Sequence, residues 1–197
     1  MASTIQIKHE HTQFGISAKK FALWAGIASI CMFFIGLTSA LIVKRASEVA
    51  NGSWLLFNIP TWFYTSTAII VASSLSMILA KTYFKKQDQK AYKFLLLLTT
   101  LLGIAFLYCQ YEGWVRLREI GIYLGGSMSH SSGAFFYVIS ISHAAHILGG
   151  LVYLVVLTFK AFFKPLQKTT LDSIEMASIY WHFVDILWIY LFALLIF

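Results

Sequence analysis

An all-α integral membrane bundle of five transmembrane helices is the fold this sequence predicts. Three observations carry that reading. The 197 residues are 59% hydrophobic and only 12% charged, where a soluble domain carries about a quarter charged residues. The apolar residues fall into five long runs, each suited to the ~20 residues a helix needs to cross the hydrocarbon core. The Lys and Arg residues lie between those runs, as topology signals do. The net charge of +7 therefore implies no nucleic-acid partner.

Residues 1–20 read as a polar, cytoplasmic arm containing Lys8, His9, Glu10, His11, Lys19 and Lys20. No cleavable signal peptide is expected there, so the first apolar run stays as an anchor. The membrane domain spans 21–197. Its first helix is predicted over about 21–43, an uncharged run fenced by Lys19-Lys20 and Lys44-Arg45. The second covers about 60–80, since Pro60 suits a first helical turn. The third covers about 93–111, with Gln110 and Glu112 facing water at its outer end and Trp114 as an interfacial anchor. Gly125-Gly126 and Ser131-Ser132-Gly133 look like loop and cap, which places the fourth helix at about 132–159. The fifth covers about 171–197.

Loop charge sets the expected orientation. Lys8, Lys19, Lys20, Lys81, Lys85, Lys86, Lys90, Lys93, Lys160, Lys164 and Lys168 fall on one side, and only Lys44, Arg45, Arg116 and Arg118 on the other. That asymmetry predicts a cytoplasmic N-terminus and a periplasmic C-terminus. Cys31 and Cys109 lie inside apolar runs and read as small buried hydrophobes.

The last helix carries the unusual chemistry. Trp181, Asp185, Trp188 and Phe192 recur at helical spacing and form one face, which should look into protein. His182 and Asp185 sit within a run otherwise apolar enough for lipid, and ionisable groups at that depth need partners. One helix earlier, His143 and His146 also share a face. Two readings follow. Histidine pairs can begin a metal or haem site, but this set is incomplete. The favoured reading is a structural network in which His143 and His146 meet His182 and Asp185 between helices four and five. Gly149-Gly150 is expected to permit close helix approach. No phosphate loop, nucleophile–base pair or redox cysteine motif is visible, so the residues alone specify no reaction.

The motifs resemble subunit III of the haem-copper respiratory oxidases. Glu175, four residues, then Tyr180-Trp181-His182-Phe183-Val184-Asp185 and Trp188 match that family's C-terminal pattern without a gap. The preceding helix resembles the family's in Gly133, Phe135-Phe136, His143, His146 and Gly150. Leu101-Leu102-Gly103, Phe106 and Gln110 resemble its third helix, Met32-Phe33-Phe34 its first and Ser73-Ser74 its second. The similarity covers nearly the whole chain from Phe21. Ile30 stands where many members place a carboxylate, and Gly113 separates Glu112 from Trp114. Two further N-terminal helices of mitochondrial members are missing, so the form looks bacterial.

The resemblance implies a non-catalytic accessory subunit of a proton-pumping terminal oxidase, which reduces oxygen to water. It implies no catalytic residue, cofactor or metal in this chain, with haem and copper held by partner subunits. It implies packing on oxidase subunit I beside other oxidase subunits, possible membership of a respiratory supercomplex, and support of proton uptake and active-site durability. The electron donor expected is cytochrome c, with quinol as the alternative. A b-type haem protein using His143 or His146 with His182, or a small transporter using Asp185, are the readings from other classes. Glu175 is placed with the structural polar cluster. The family's lipid-phosphate position falls fourteen residues after His146 and twenty before Tyr180, which is Lys160, and Trp24 could add interfacial packing to the bound phospholipid.

Overall fold

In the computed structural model, residues 18–55, 57–126, 130–163 and 168–196 are described. Five helices account for nearly all of them: α1 (Ala18–Ala50), α2 (Thr61–Lys85), α3 (Gln89–Glu119), α4 (Ser131–Phe163) and α5 (Lys168–Ile196). All five are long and apolar enough to cross a membrane. Most of the polar arm, with Lys8, and Lys164 in the α4–α5 connection lie outside the described residues.

The helices outrun the spans predicted from uncharged windows. A 33-residue helix such as α1 is about 50 Å long, against roughly 30 Å of hydrocarbon. The charge-free window marks only the part in lipid. Lys19-Lys20, Lys44-Arg45 and Arg116-Arg118 continue the helices at either end, where long side chains can reach polar surroundings. Local signals set the ends. Asp88 caps α3 by accepting 3.1 Å hydrogen bonds from the amides of Lys90 and Ala91. At its far end Gly121 takes φ +83°, a left-handed conformation that suits glycine and stops the helix. Pro60 immediately precedes α2.

Helix contacts run α2–α3, α3–α4, α4–α5 and α5–α2, so four helices close into a ring, and α1 lies outside against α4 and α5 only. Antiparallel seams are pinned by hydroxyls. Ser76 donates to the Leu95 carbonyl at 3.0 Å, Thr99 donates to Ser76 at 3.1 Å, and the Thr100 and Thr158 hydroxyls lie 3.0 Å apart. Each such bond inside a bilayer contributes about 0.6 to 2 kcal/mol. α1 is tied at both ends. Near its start Lys20 pairs with Asp172 at 3.1 Å and Glu175 at 3.4 Å. Near its end Glu48 accepts from the Ser131 hydroxyl at 2.6 Å and pairs with Lys44 at 3.1 Å.

Glycines set the distances between axes. A Cβ on Gly113 would lie 2.7 Å from the Phe63 ring, one on Gly103 2.9 Å from Trp181, and one on Gly150 2.7 Å from Tyr180. Gly149 has nothing within 4 Å, so only its neighbour serves the close approach expected of the pair. Gln110 corrects the water-facing expectation. α3 continues to Glu119, which leaves Gln110 fully buried, where its amide donates to Ser66 at 3.1 Å. Trp114 likewise does more than anchor: its indole donates to Ser140 of α4 at 3.0 Å. Cys31 and Cys109 are both free thiols.

Replacing Gly113 by Val should overpack the α2–α3 seam and cost about 1–3 kcal/mol. Gly149→Ala should leave stability unchanged. Thermal unfolding of the purified complex compares the two directly.

Candidate functional site: polar groups in the hydrocarbon layer

The predicted inward face of α5 is inward. Trp181, Asp185, Trp188 and Phe192 are all buried. Trp181 projects across the ring, with its indole donating to Ser73 of α2 at 3.0 Å. Trp188 donates to Thr67 of the same helix at 2.9 Å. Both large rings therefore place their one polar atom on an α2 hydroxyl, which satisfies it away from water.

The polar residues expected to form one network between α4 and α5 are distributed differently. His143 is completely buried and makes no hydrogen bond among the described residues. It sits in a box of rings instead: Trp188 at 5.0 Å and 30°, Phe106 at 6.1 Å and Phe34 at 6.2 Å between centroids. His146 turns to its own helix, where its Nδ1 lies 2.7 Å from the Ser142 carbonyl, and Phe34 packs edge-on against it. Tyr180 of α5 does reach this level of α4, but it donates to the His146 carbonyl at 3.0 Å rather than to the imidazole.

His182 crosses to α2, with its Nδ1 2.6 Å from the Ser74 hydroxyl. Asp185 is buried one turn further on, and neither carboxylate oxygen completes a hydrogen bond among the described residues. Glu175 stands apart from the others, at the start of α5 in the ion pair with Lys20. The polar seam thus runs between α2 and α5, while α4 contributes rings and backbone carbonyls. In the sequence, Ser73 and Ser74 stand out only through the family resemblance. The signal for their role is the spacing Thr67, Ser74, Lys81, which repeats every seven residues along one edge of α2.

Among the described residues, no three His, Cys, Asp or Glu side chains group closely enough to hold a metal ion. Lys160 and Trp24 are both exposed, on α4 and α1. Lys93 of α3 reaches the same end of the bundle, with its ammonium 5.8 Å from the centre of the Phe162 ring. A cavity of about 460 Å³ opens between α1, α4 and α5, lined by Leu23, Gly150, Tyr153, Met176 and Trp181 among others, and Lys19 stands at its margin. Neither Lys160 nor Trp24 lines it. A shallower recess beside His146 is lined by Ser29, Ile30 and Phe33.

A five-helix bundle with hydrogen-bonded indoles at its centre is a multi-pass membrane scaffold. The sequence places it further. The chain matches the cytochrome c oxidase subunit III model over residues 1–197, and it belongs to that family. It is therefore a subunit of a haem-copper oxidase. It is 34% identical over 173 residues to cytochrome c oxidase subunit 3 of Corynebacterium diphtheriae, covering 84% of this chain and 81% of that one. It is 35% identical to a probable cytochrome c oxidase subunit 3 of Nocardia farcinica, covering 87% and 83%. It is also 28% identical to subunit 3 of the cytochrome bo(3) ubiquinol oxidase of Buchnera aphidicola, covering 89% and 91%. Its relatives therefore include both cytochrome c and quinol oxidases.

Because His143 packs as a ring and bonds to nothing described, His143→Phe should leave the complex as stable as before or slightly more so. Removing an unpaired buried polar group relieves a desolvation cost. A marked drop in unfolding temperature for His143→Phe would overturn the reading of the imidazole as an unpaired ring.

Proposed function

We propose that this chain is the non-catalytic accessory subunit of a proton-pumping, cytochrome c-oxidising haem-copper oxidase, packed on the catalytic subunit I. The observation that carries the reading is the family match across the whole chain. The Corynebacterium and Nocardia relatives, at 34% and 35% identity, are both named for cytochrome c, whereas the ubiquinol oxidase relative stands at 28%. The names of the first two support cytochrome c as donor, and quinol is the second reading. Haem and copper would reside in partner subunits. The chain's own contribution would be mechanical and electrostatic: a rigid ring of helices beside subunit I, a lysine-rich surface that helps deliver protons, and bound phospholipid that protects the active site in turnover.

Orientation follows from charge. With residues 1–20 as a cytoplasmic arm and 21–197 as the membrane domain, Lys81, Lys85, Lys86, Lys90, Lys93 and Lys160 face the cytoplasm. An impermeant thiol reagent should then fail to label a cysteine placed in the Lys85–Lys90 turn of intact cells and should label it once the membrane is opened. Labelling in intact cells reverses the topology.

At that end Lys160 would meet the phosphate of a phospholipid, with Trp24 at the interface beside the chains. An ammonium makes a point-charge contact without the bidentate fork of arginine. Its exposure at the end of α4 supports an anion there. Lys160→Ala should reduce the phospholipid retained per complex after detergent washing, as quantified by mass spectrometry. Unchanged retention rejects this site.

His143, His146, His182 and Asp185 are assigned structural roles. Removal of the whole chain should accordingly leave the haem and copper content of the remaining complex intact and initial electron transfer close to normal, with faster inactivation during turnover. Loss of a stoichiometric haem with the chain would overturn the accessory reading.

A further inference from the structure

His182 is the midpoint of α5, fourteen residues from Lys168 and fourteen from Ile196, so it lies about 20 Å from either end of that helix. Ser74 is near the middle of α2. Their contact, 2.6 Å from hydroxyl to Nδ1, is therefore made at hydrocarbon depth. It uses one side of the imidazole. The other nitrogen makes no hydrogen bond among the described residues, and it is not sealed inside the bundle. Both side chains are half-buried rather than buried.

The surroundings show where that nitrogen faces. Counting from His182 along α5, Ile186 and Ile189 recur at i+4 and i+7, and both are exposed, Ile186 at 67%. His182 is thus the polar member of an outward, otherwise apolar stripe. Val71 and Ile78, three before and four after Ser74 on α2, are exposed as well. The result is a two-helix face, apolar at its margins, with an imidazole nitrogen open at its centre. Lipid chains offer no hydrogen-bonding group to such an atom, and ionisable side chains at this depth turn toward protein or a watery cavity. An apolar margin around one polar anchor is how transmembrane helices associate, since packing supplies contact and the interhelical hydrogen bond supplies register.

We infer that the outer face of α2 and α5 centred on His182 is where this chain docks a transmembrane helix of another oxidase subunit. That helix places a hydrogen-bonding side chain against the free imidazole nitrogen. The inference rests on the reading of the chain as a subunit packed on subunit I, and it names the surface. The Ser74 hydroxyl can donate to Nδ1 or accept from it, so the ring can meet either a donor or an acceptor.

The test replaces Ile186, in the full complex, by a photo-crosslinking benzophenone amino acid, with a second version at Met32, exposed at 75% on α1. Crosslinking from Ile186 to a different oxidase chain is the expected result. Crosslinking from Ile186 only to lipid or to a second copy of this chain, in a complex that still contains the haem-bearing subunits, overturns the docking face. A result in which only Met32 reaches another subunit does the same. Failure of the unsubstituted chain to co-purify with any haem-bearing chain would instead overturn the subunit reading itself. A second measurement addresses the anchor. His182→Ala should weaken detergent-resistant co-purification about three- to thirty-fold, the range of one intramembrane hydrogen bond. His182→Gln, which retains a hydrogen-bonding amide, should recover part of the loss. Wild-type co-purification of His182→Ala would remove the hydrogen bond from the proposal.

Discussion

The indole ridge of α5 is the contact on which the rest of the bundle depends. Trp181 crosses the ring and occupies the space left by the absent side chain of Gly103 on α3, while Gly150 on α4 admits the neighbouring Tyr180 ring. Its polar atom is satisfied by Ser73 on α2. One tryptophan and its neighbour thereby fix the spacing of four helices. Trp188 repeats the arrangement two turns on, with Thr67 as acceptor and His143, Phe106 and Phe192 around its ring. In a bilayer this matters more than in water, because lipid chains are as apolar as the side chains they replace and no hydrophobic drive separates helix from lipid. Close packing and hydrogen bonds between helices must hold the ring.

The same constraint explains the unequal fates of the polar residues. A hydroxyl on a transmembrane helix has two cheap solutions: a carbonyl one turn back on its own helix or a partner across the seam. The Thr99 hydroxyl lies within reach of both acceptors, 2.9 Å from the Leu95 carbonyl and 3.1 Å from Ser76, and its one proton serves either. Histidine and aspartate have fewer choices. His146 falls back on its own helix and His182 takes an α2 hydroxyl. His143 is accommodated as an aromatic ring among aromatic rings. These are the arrangements of a scaffold, and they agree with membership of a family whose members serve a larger oxidase.

α1 behaves differently from the ring. It packs on α4 and α5 alone and leaves large side chains such as Met32 and Ile35 exposed. Polar ties hold it at the two ends, through Lys20 to the start of α5 and through Glu48 to the start of α4, while Phe34 and Leu41 pack against Ile139 and Leu191 between them. Between those ties lies the cavity shared by the three helices, with apolar lining and Lys19 at its margin. Near the middle, Ile30 borders the recess beside His146, at the position where the family's carboxylate is often found. An isoleucine there makes this recess more apolar than a carboxylate would.

The sequence by itself determined the number of long apolar helices and the inward face of α5. These depend on local properties: the length of an apolar run and the 3.6-residue repeat that aligns Trp181, Asp185, Trp188 and Phe192. Family membership was legible too, because the residues from Glu175 to Trp188 form one contiguous motif. Only the tertiary structure decided who meets whom. Asking which polar residues share a neighbourhood in sequence pairs His143 and His146 with His182 and Asp185, since α4 and α5 are consecutive. Ring closure instead brings α2 against α5, more than a hundred residues away, so that Trp181, His182 and Trp188 meet Ser73, Ser74 and Thr67. Gln110 shows the same limit on a smaller scale. A window of charge marks where a helix leaves the hydrocarbon, but burial depends on the helix packed alongside, and Ser66 of α2 was there to receive its amide.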